Sequence, residues 1–451
     1  MEPEALNILI FFSVVLSLSI LSIFIFKKLA FLGNVFLILN QLTLFNNLTK
    51  FDEIKLTNTF VLNGLNFKIT LLILLFSIVV MMLQNLSSII SFKKNIVSVF
   101  MFVGIASAIG SKTPLLFFIA SEIISCSISF FIATSGKELS ALGALRNYIK
   151  SGFSGGVFLL FSYFLFIGTE KFSFYNVEVV SSNLYALSLC FYLTYAFSKI
   201  GLAPFNSRLI DKFENLDYQG IAAVFLIGRI GIIYALIEKF QHLLLEATPV
   251  HQQYLIYFVL IISIFSCFYM GLLAIWSKEL NKAMGLVYIS QLSFLGIYLT
   301  YGISFDALEN LILLNVTLHI SLVLGVVPVL FLKKKDGSYH RGRWKLGAYS
   351  LVWGSLTLIG LPPSMGVIAK ITSLSNFIRE GYLLESIFLI IGLFLSVNLL
   401  SKVFQFNADT NLLAKTGMIT SAPLRLKLFT MLLLLMTLVG LVLLKNILQI
   451  M

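Results

Sequence analysis

Lys199 stands in the apolar stretch FYLTYAFSKIGLAPFNSR and Arg229 in a second one, FLIGRIGIIYA. A charged side chain at the centre of a bilayer costs on the order of 2.5–3.5 kcal/mol on insertion scales, so cations kept at that depth mark a pathway by default. Fully buried lysines titrate near pH ~5–6. Lys199 can therefore take up and release a proton near neutrality. The competing reading is a lysine whose stem lets its ammonium snorkel to an interface. Tyr192 and Tyr195 precede Lys199 by seven and four residues and share its helical face. Pro204 follows about one turn later, where it interrupts the hydrogen-bond ladder and lets water or a side chain in.

Glu122, in PLLFFIASEIISCSISFFIA, is the acid placed well inside an apolar run and the natural counter-charge for Lys199. A Glu–Lys pair that opens and closes shifts the proton affinity of the amine; a hydrogen-bonded structural acid is the alternative. Lys370 stands in LIGLPPSMGVIAK, with Gly366 and Ser373 on its face. Arg229 differs in kind. Its guanidinium does not deprotonate in a protein, so it polarises a file of waters without relaying a proton itself. His319, in LLNVTLHISLVLG, reads either as a hydrogen-bonded core group or as a titrating one. Lys282 and Gln291 flank the start and middle of another apolar run, with Lys282 read as an interface anchor.

Helices must carry these residues. The chain is 59% hydrophobic with a mean hydropathy of +0.97, and its 12% charged residues are about half the soluble share. Apolar runs predict spans at 6–26, 29–47, 69–91, 96–111, 114–134, 148–168, 183–204, 219–239, 253–276, 283–302, 309–332, 348–373, 384–405 and 427–448. Lipid offers the backbone no partners, so the fold is all-α: a polytopic membrane protein of about 14 transmembrane helices. The longest gaps, 48–68 and 406–426, read as ordinary loops, and no removed signal peptide is expected at the start. Cys126, Cys190 and Cys267 lack metal or redox spacing and read as small core residues. Glycine-rich nucleotide fingerprints are missing.

The net charge of +12 is an orientation signal and no nucleic-acid surface. Ends that follow odd-numbered spans hold 21 Lys and Arg against 8 on the opposite side, which leaves Lys199, Arg229 and Lys370 inside spans. Both termini then lie on the non-cytoplasmic side. Among the acids, Glu238 falls at a helix end and Lys239 beside it in a loop.

SKIGLAPFNSR and LIGLPPSMGVIAK each place a Gly-Leu-x-Pro break in a span, at Pro204 and at Pro362 with Pro363, five spans apart. An odd separation implies two inverted five-helix repeats, each with a broken helix. The organisation expected is a three-span N-terminal segment (1–94), a first repeat (95–252), a second (253–410) and a C-terminal helix (411–451).

These motifs, with SEIISCSIS, FSKIGLAPFNSRLIDKFE, KELNKAMGLVYISQLSFLGIYL and ALGALRNYIKSGFSGGVFLLFSYFLFIGT, resemble the antiporter-like membrane subunits of respiratory complex I over about residues 95–405. The closest likeness is to the subunit 2 type. A lysine on the twelfth span disfavours the subunit 4 type, and a missing C-terminal lateral helix the subunit 5 type. The resemblance implies that Glu122 and Lys199 form a glutamate–lysine pair, that Arg229 connects, and that Lys370 ends a midplane chain moving protons. Arg229 stands where lysine is usual and Gln291 where histidine is frequent, which leaves waters, Lys282 and His319 to complete the path. It further implies no cofactor in this chain; FMN, iron–sulfur clusters and ubiquinone belong to other subunits of an NADH:ubiquinone oxidoreductase. Implied partners are a neighbouring subunit 4, small membrane subunits and lipids, in the mitochondrial inner membrane or a bacterial plasma membrane. A sodium/proton antiporter subunit and a non-conducting structural homologue remain as alternatives.

Overall fold

The protein is described by a computed structural model over residues 30–48, 53–57, 60–84, 89–135, 138–169, 183–206, 209, 216–299, 305–332, 345–362, 364–379, 381–414 and 423–450. The expected span at 6–26, Pro363 and most of the basic loops lie outside these residues.

The described chain is helical except for one hairpin. Its elements are α1 (Ala30–Leu48), β1 (Glu53–Thr57), β2 (Phe60–Asn63), α2 (Gly64–Leu83), α3 (Ile89–Gly110), α4 (Pro114–Ser135), α5 (Glu138–Gly168) and α6 (Asn183–Ile200). α7 (Tyr218–Leu245) follows, then α8 (Pro249–Trp276), α9 (Leu280–Ile297), α10 (Phe305–Leu332), α11 (Lys345–Ile359) and α12 (Met365–Arg379). α13 (Leu383–Ser396), α14 (Asn398–Ala414) and α15 (Leu424–Ile450) complete it. Among the described residues, seven helices are long and apolar enough to cross a membrane by length and composition. The protein is membrane-embedded. The hairpin β1–β2 pairs antiparallel where an ordinary loop was expected.

α7 and α10 form the centre of the bundle, with α2, α3, α6, α9 and α11 packed around them. α8 and α13 carry exposed rows of Tyr, Phe and Ile on the outside. Asp217 caps α7 by accepting from the Gly220 N–H (2.7 Å). Thr248 caps α8, whose first residue is Pro249, a position that has no partner for an N–H in any case. Within α7, Ala223–Arg229 is π-helical. Such one-turn expansions concentrate at functional sites; this one ends on Arg229.

Both expected breaks are present, but glycine makes them rather than proline. α6 stops at Ile200 because Gly201 sits at φ +84°, and α11 stops at Ile359 because Gly360 sits at φ +83°. At each break the glycine N–H and the next leucine N–H converge on one carbonyl, Phe197 in the first and Leu356 in the second, at 2.8–3.1 Å. An L-residue pays sterically for that conformation and glycine does not. Pro204 and Pro362 lie beyond the helix ends and keep the chain from resuming at once. The single span expected over 348–373 is therefore two helices, α11 and α12.

Three boundary expectations also move. α7 runs on to Leu245, so Glu238 and Lys239 are buried inside a helix rather than at its end. α3 begins at Ile89, which places Lys94 in the interior beside Asp217 (2.7 Å). Cys267 is buried as expected, whereas Cys126 and Cys190 face outward.

Candidate functional site: a polar file across the bundle

The site is built from three polar groups joined through the helices that carry them. In the first, Lys199 Nζ on α6 lies 3.8 Å from Glu122 Oε1 on α4. The ammonium donates to Ser125 Oγ (2.6 Å), which in turn donates to the Ser121 carbonyl. Its charge rests 5.2 Å from the Tyr195 ring centroid, within reach of a cation–π attraction. Ser125 follows Glu122 by three residues, so one face of α4 presents both partners to the lysine. Glu122 is not fully enclosed: its side chain keeps 36% of its surface, at the edge of the bundle. Tyr192 shares the face of Lys199 as expected. Its ring stacks on Phe117 and Phe240, and its hydroxyl donates to the Leu236 carbonyl (3.3 Å).

The second group begins one residue further along α6. Arg229 Nη2 donates to the carbonyl oxygen of Ile200, the last residue before the break. A helix C-terminus carries unsatisfied carbonyls and partial negative charge, and a buried guanidinium satisfies both. Arg229 also stacks near Phe225 (5.7 Å) and faces the Tyr288 hydroxyl on α9. Tyr288 is bonded to His319 Nε2 (2.6 Å), and His319 Nδ1 to the Asn315 carbonyl (2.6 Å). A carbonyl only accepts, so Nδ1 carries hydrogen and, in the neutral imidazole, Nε2 accepts from Tyr288. His319 thus has two defined partners in the interior.

The third group is centred on Lys370 on α12. Its ammonium donates to the Leu358 (2.5 Å) and Ile359 (2.8 Å) carbonyls at the end of α11, and to Gln291 Oε1 on α9. Gln291 Nε2 donates onward to Ser396 Oγ (3.0 Å). Tyr288 and Gln291 are three residues apart on one face of α9, which links the second group to the third. Lys199 and Ile200 are consecutive in α6, so the first group adjoins the second along the chain, with no direct bond between them among those described.

Sequence reasoning found Glu122, Lys199, Arg229, Gln291, His319 and Lys370, and the fold sets all six along one file. Lys282, half-buried in the first turn of α9, stands about 13 Å along the axis from Gln291, to judge by helical rise. Tyr288, Ser125 and Ser396 were missed. A signal existed for Ser125, three residues after Glu122; none existed for Tyr288, which looks like any aromatic in an apolar helix. A second miss is the buried cluster around Glu238, where Lys239 bonds the carboxylate (3.3 Å) and the Ile109 carbonyl (3.1 Å).

No family model matches the chain. Curated relatives include NADH-ubiquinone oxidoreductase chain 5 of Caenorhabditis elegans, 24% identical over 342 residues that cover 74% of this chain and 62% of the relative. Another is NADH-quinone oxidoreductase subunit N of Neisseria gonorrhoeae, 22% identical over 309 residues, 65% of this chain and 63% of the relative. The chain thus spans about three fifths of the length of these relatives. Among solved structures, a chain of respiratory complex I from Thermus thermophilus superposes with a TM-score of 0.73 at 17% identity, covering 96% of this chain and 97% of that one. A chain of the Mrp complex from Dietzia sp. DQ12-45-1b superposes with a TM-score of 0.71 at 13% identity, covering 94% and 81%.

The fold of this chain is thus shared with a chain of respiratory complex I and a chain of the Mrp complex. The homologues in sequence carry the names of NADH-quinone and NADH-ubiquinone oxidoreductase subunits.

Proposed function

We propose that this chain is a proton-translocating, antiporter-like core membrane subunit of an NADH:quinone oxidoreductase, of the subunit 2 type. The observation that carries the reading is the polar file itself. It runs from Glu122 and Lys199 through the Ile200 carbonyl, Arg229, Tyr288 and His319 to Gln291 and Lys370. Lysine amines at the two halves take and release protons. Arg229 keeps its charge and holds the broken end of α6 while polarising the groups between them. No redox role falls to these residues: FMN, iron–sulfur clusters and ubiquinone are assigned to other subunits. The partners proposed are a subunit 4 and the small membrane subunits, together with lipids. The location is the mitochondrial inner membrane with both termini on the intermembrane side, the bacterial plasma membrane being the alternative.

Lys199→Ala in the assembled complex tests this. Proton translocation is expected to vanish while the complex still forms; full translocation would overturn the reading.

The likeness to a chain of the Mrp complex favours a second reading, a subunit of a multi-subunit sodium/proton antiporter. NADH oxidation by the purified particle separates the two. A non-conducting homologue, favoured by an arginine at 229, predicts unchanged translocation in every variant of the file.

A further inference from the structure

A second ionisable cluster lies outside this file, at the end of the bundle where α3 and α7 finish and α2 and α6 begin. Glu238, 4% exposed, meets three partners. Lys239 Nζ lies 3.3 Å from Oε2, while His242 Nε2 (3.7 Å) and Asn66 Nδ2 (3.5 Å) approach Oε1. Tyr234 donates to Asn66 Oδ1 (2.6 Å) and so turns the amide nitrogen toward the acid. Lys239 is fully buried. The His242 side chain keeps 31% of its surface and faces outward one helical turn beyond Glu238. One turn of this helix thus carries an outward-facing imidazole and the turn before it a buried carboxylate beside a buried amine.

Packing alone does not call for this. A buried ion pair is often no more stabilising than apolar side chains of the same volume, and ionisable groups at membrane depth mark proton relays by default. The cluster also points inward. Tyr192 bonds the Leu236 carbonyl three residues before Lys239, and its own helix carries Lys199 two turns on.

We propose that His242, Glu238 and Lys239 form the proton-exchange branch that connects the first half of the file to the aqueous phase at this end of the bundle; the proposal rests on the translocation reading above. In the inward direction the Nε2–H bond of the His242 imidazolium breaks as an O–H bond forms on Glu238. Lys239, having released its own proton to water on the Tyr192 and Lys199 side, then takes that proton as the neutral amine when the carboxyl turns, which restores the carboxylate. His242 takes its next proton from water, and the outward direction reverses each step. The positive-charge asymmetry of the loops assigns this end to the non-cytoplasmic side.

The test uses the complete complex in sealed vesicles, with assembly and NADH oxidation followed beside proton translocation. A positioned proton donor contributes at least about 10²-fold, so Glu238→Gln is expected to lower coupled translocation by about ten-fold or more in an assembled complex. Glu238→Asp restores it to within about two-fold, which a purely structural carboxylate would not require. If Glu238→Gln fails to assemble, His242→Gln decides, since its side chain reaches the surface and glutamine keeps a hydrogen bond without carrying a proton. A comparable loss there supports the branch, and full translocation overturns it. Lys199→Ala separates the two proposals. Loss in Lys199→Ala with full translocation in assembled Glu238→Gln overturns the branch alone, whereas full translocation in Lys199→Ala overturns the translocation reading itself.

Discussion

Arg229 donates a hydrogen bond to the carbonyl oxygen of Ile200, the last residue of α6 before its glycine break. The second half repeats the relationship with another side chain: Lys370 bonds the carbonyl of Ile359, the last residue of α11 before its own break. In each half an interior cation closes a broken helix end, its donor set against the partial negative charge of the end carbonyls. The pattern continues at two unbroken ends. Lys239 bonds the Ile109 carbonyl at the end of α3, and Lys402 bonds the Ala274 and Ile275 carbonyls at the end of α8. Ile109 and Ile275 are each the penultimate residue of their helices.

Arg229→Met removes the donor to Ile200 and leaves a buried carbonyl unpaired. Hydrogen bonds to charged groups contribute roughly 1.5–3 kcal/mol, so the melting temperature of the complex should fall and translocation should be lost. Arg229→Lys keeps a donor for Ile200 and supplies an amine that can titrate. It is expected to retain translocation, measured as protons moved per NADH oxidised.

Gly201→Ala and Gly360→Ala should both be destabilising, since each places a β-carbon on left-handed backbone at a cost of about 1–2 kcal/mol. They should differ in effect. A β-carbon at 360 would stand 2.6 Å from Lys370 Cδ, whereas one at 201 would meet Leu209 Cδ2 at 2.8 Å. Gly360→Ala therefore displaces the terminal lysine and should reduce translocation beyond its effect on thermal stability; parallel stability and transport assays on the two variants check this.

Gly366→Ala tests how the second half-helix seats on the first. A β-carbon there would fall 1.9 Å from the Thr357 carbonyl oxygen, a backbone atom that has no rotamer to yield with. The expected result is failure of the complex to assemble at ordinary growth temperature, read on a native gel, with Gly366→Ser no better.

Lys94 and Asp217 form a pair at 2.7 Å in which the lysine is 3% exposed and the aspartate 29%. Lys94→Met removes the ammonium from the acid, and Asp217→Asn leaves the buried ammonium with only neutral acceptors such as Gln219 Oε1 (3.5 Å). Loss of one partner of a buried pair costs up to about 3–5 kcal/mol, reduced here because the aspartate is partly solvated. The double variant is expected to be more stable than Asp217→Asn, and a double-mutant cycle by thermal unfolding measures the coupling.

The sequence by itself determined the solvent, the helical class and the positions of the two breaks. Hydropathy and chain length leave few alternatives once the backbone must satisfy itself in lipid, and both Gly-Leu-x-Pro motifs end a helix here, at Ile200 and at Ile359. It also marked Glu122, Lys199, Arg229, His319 and Lys370, because a titratable side chain inside an apolar run has no cheap explanation. What only the tertiary structure decided was which of those groups touch and which other charges are inside. Lys94, Glu238 and Lys239 lay near the expected ends of spans, where a one-dimensional profile cannot tell a solvated charge from one enclosed by neighbouring helices. Tyr288 gained its role solely because α7, α9 and α10 meet at its hydroxyl. Partner choice is set by side chains brought together from distant parts of the chain, and no local spacing encodes it.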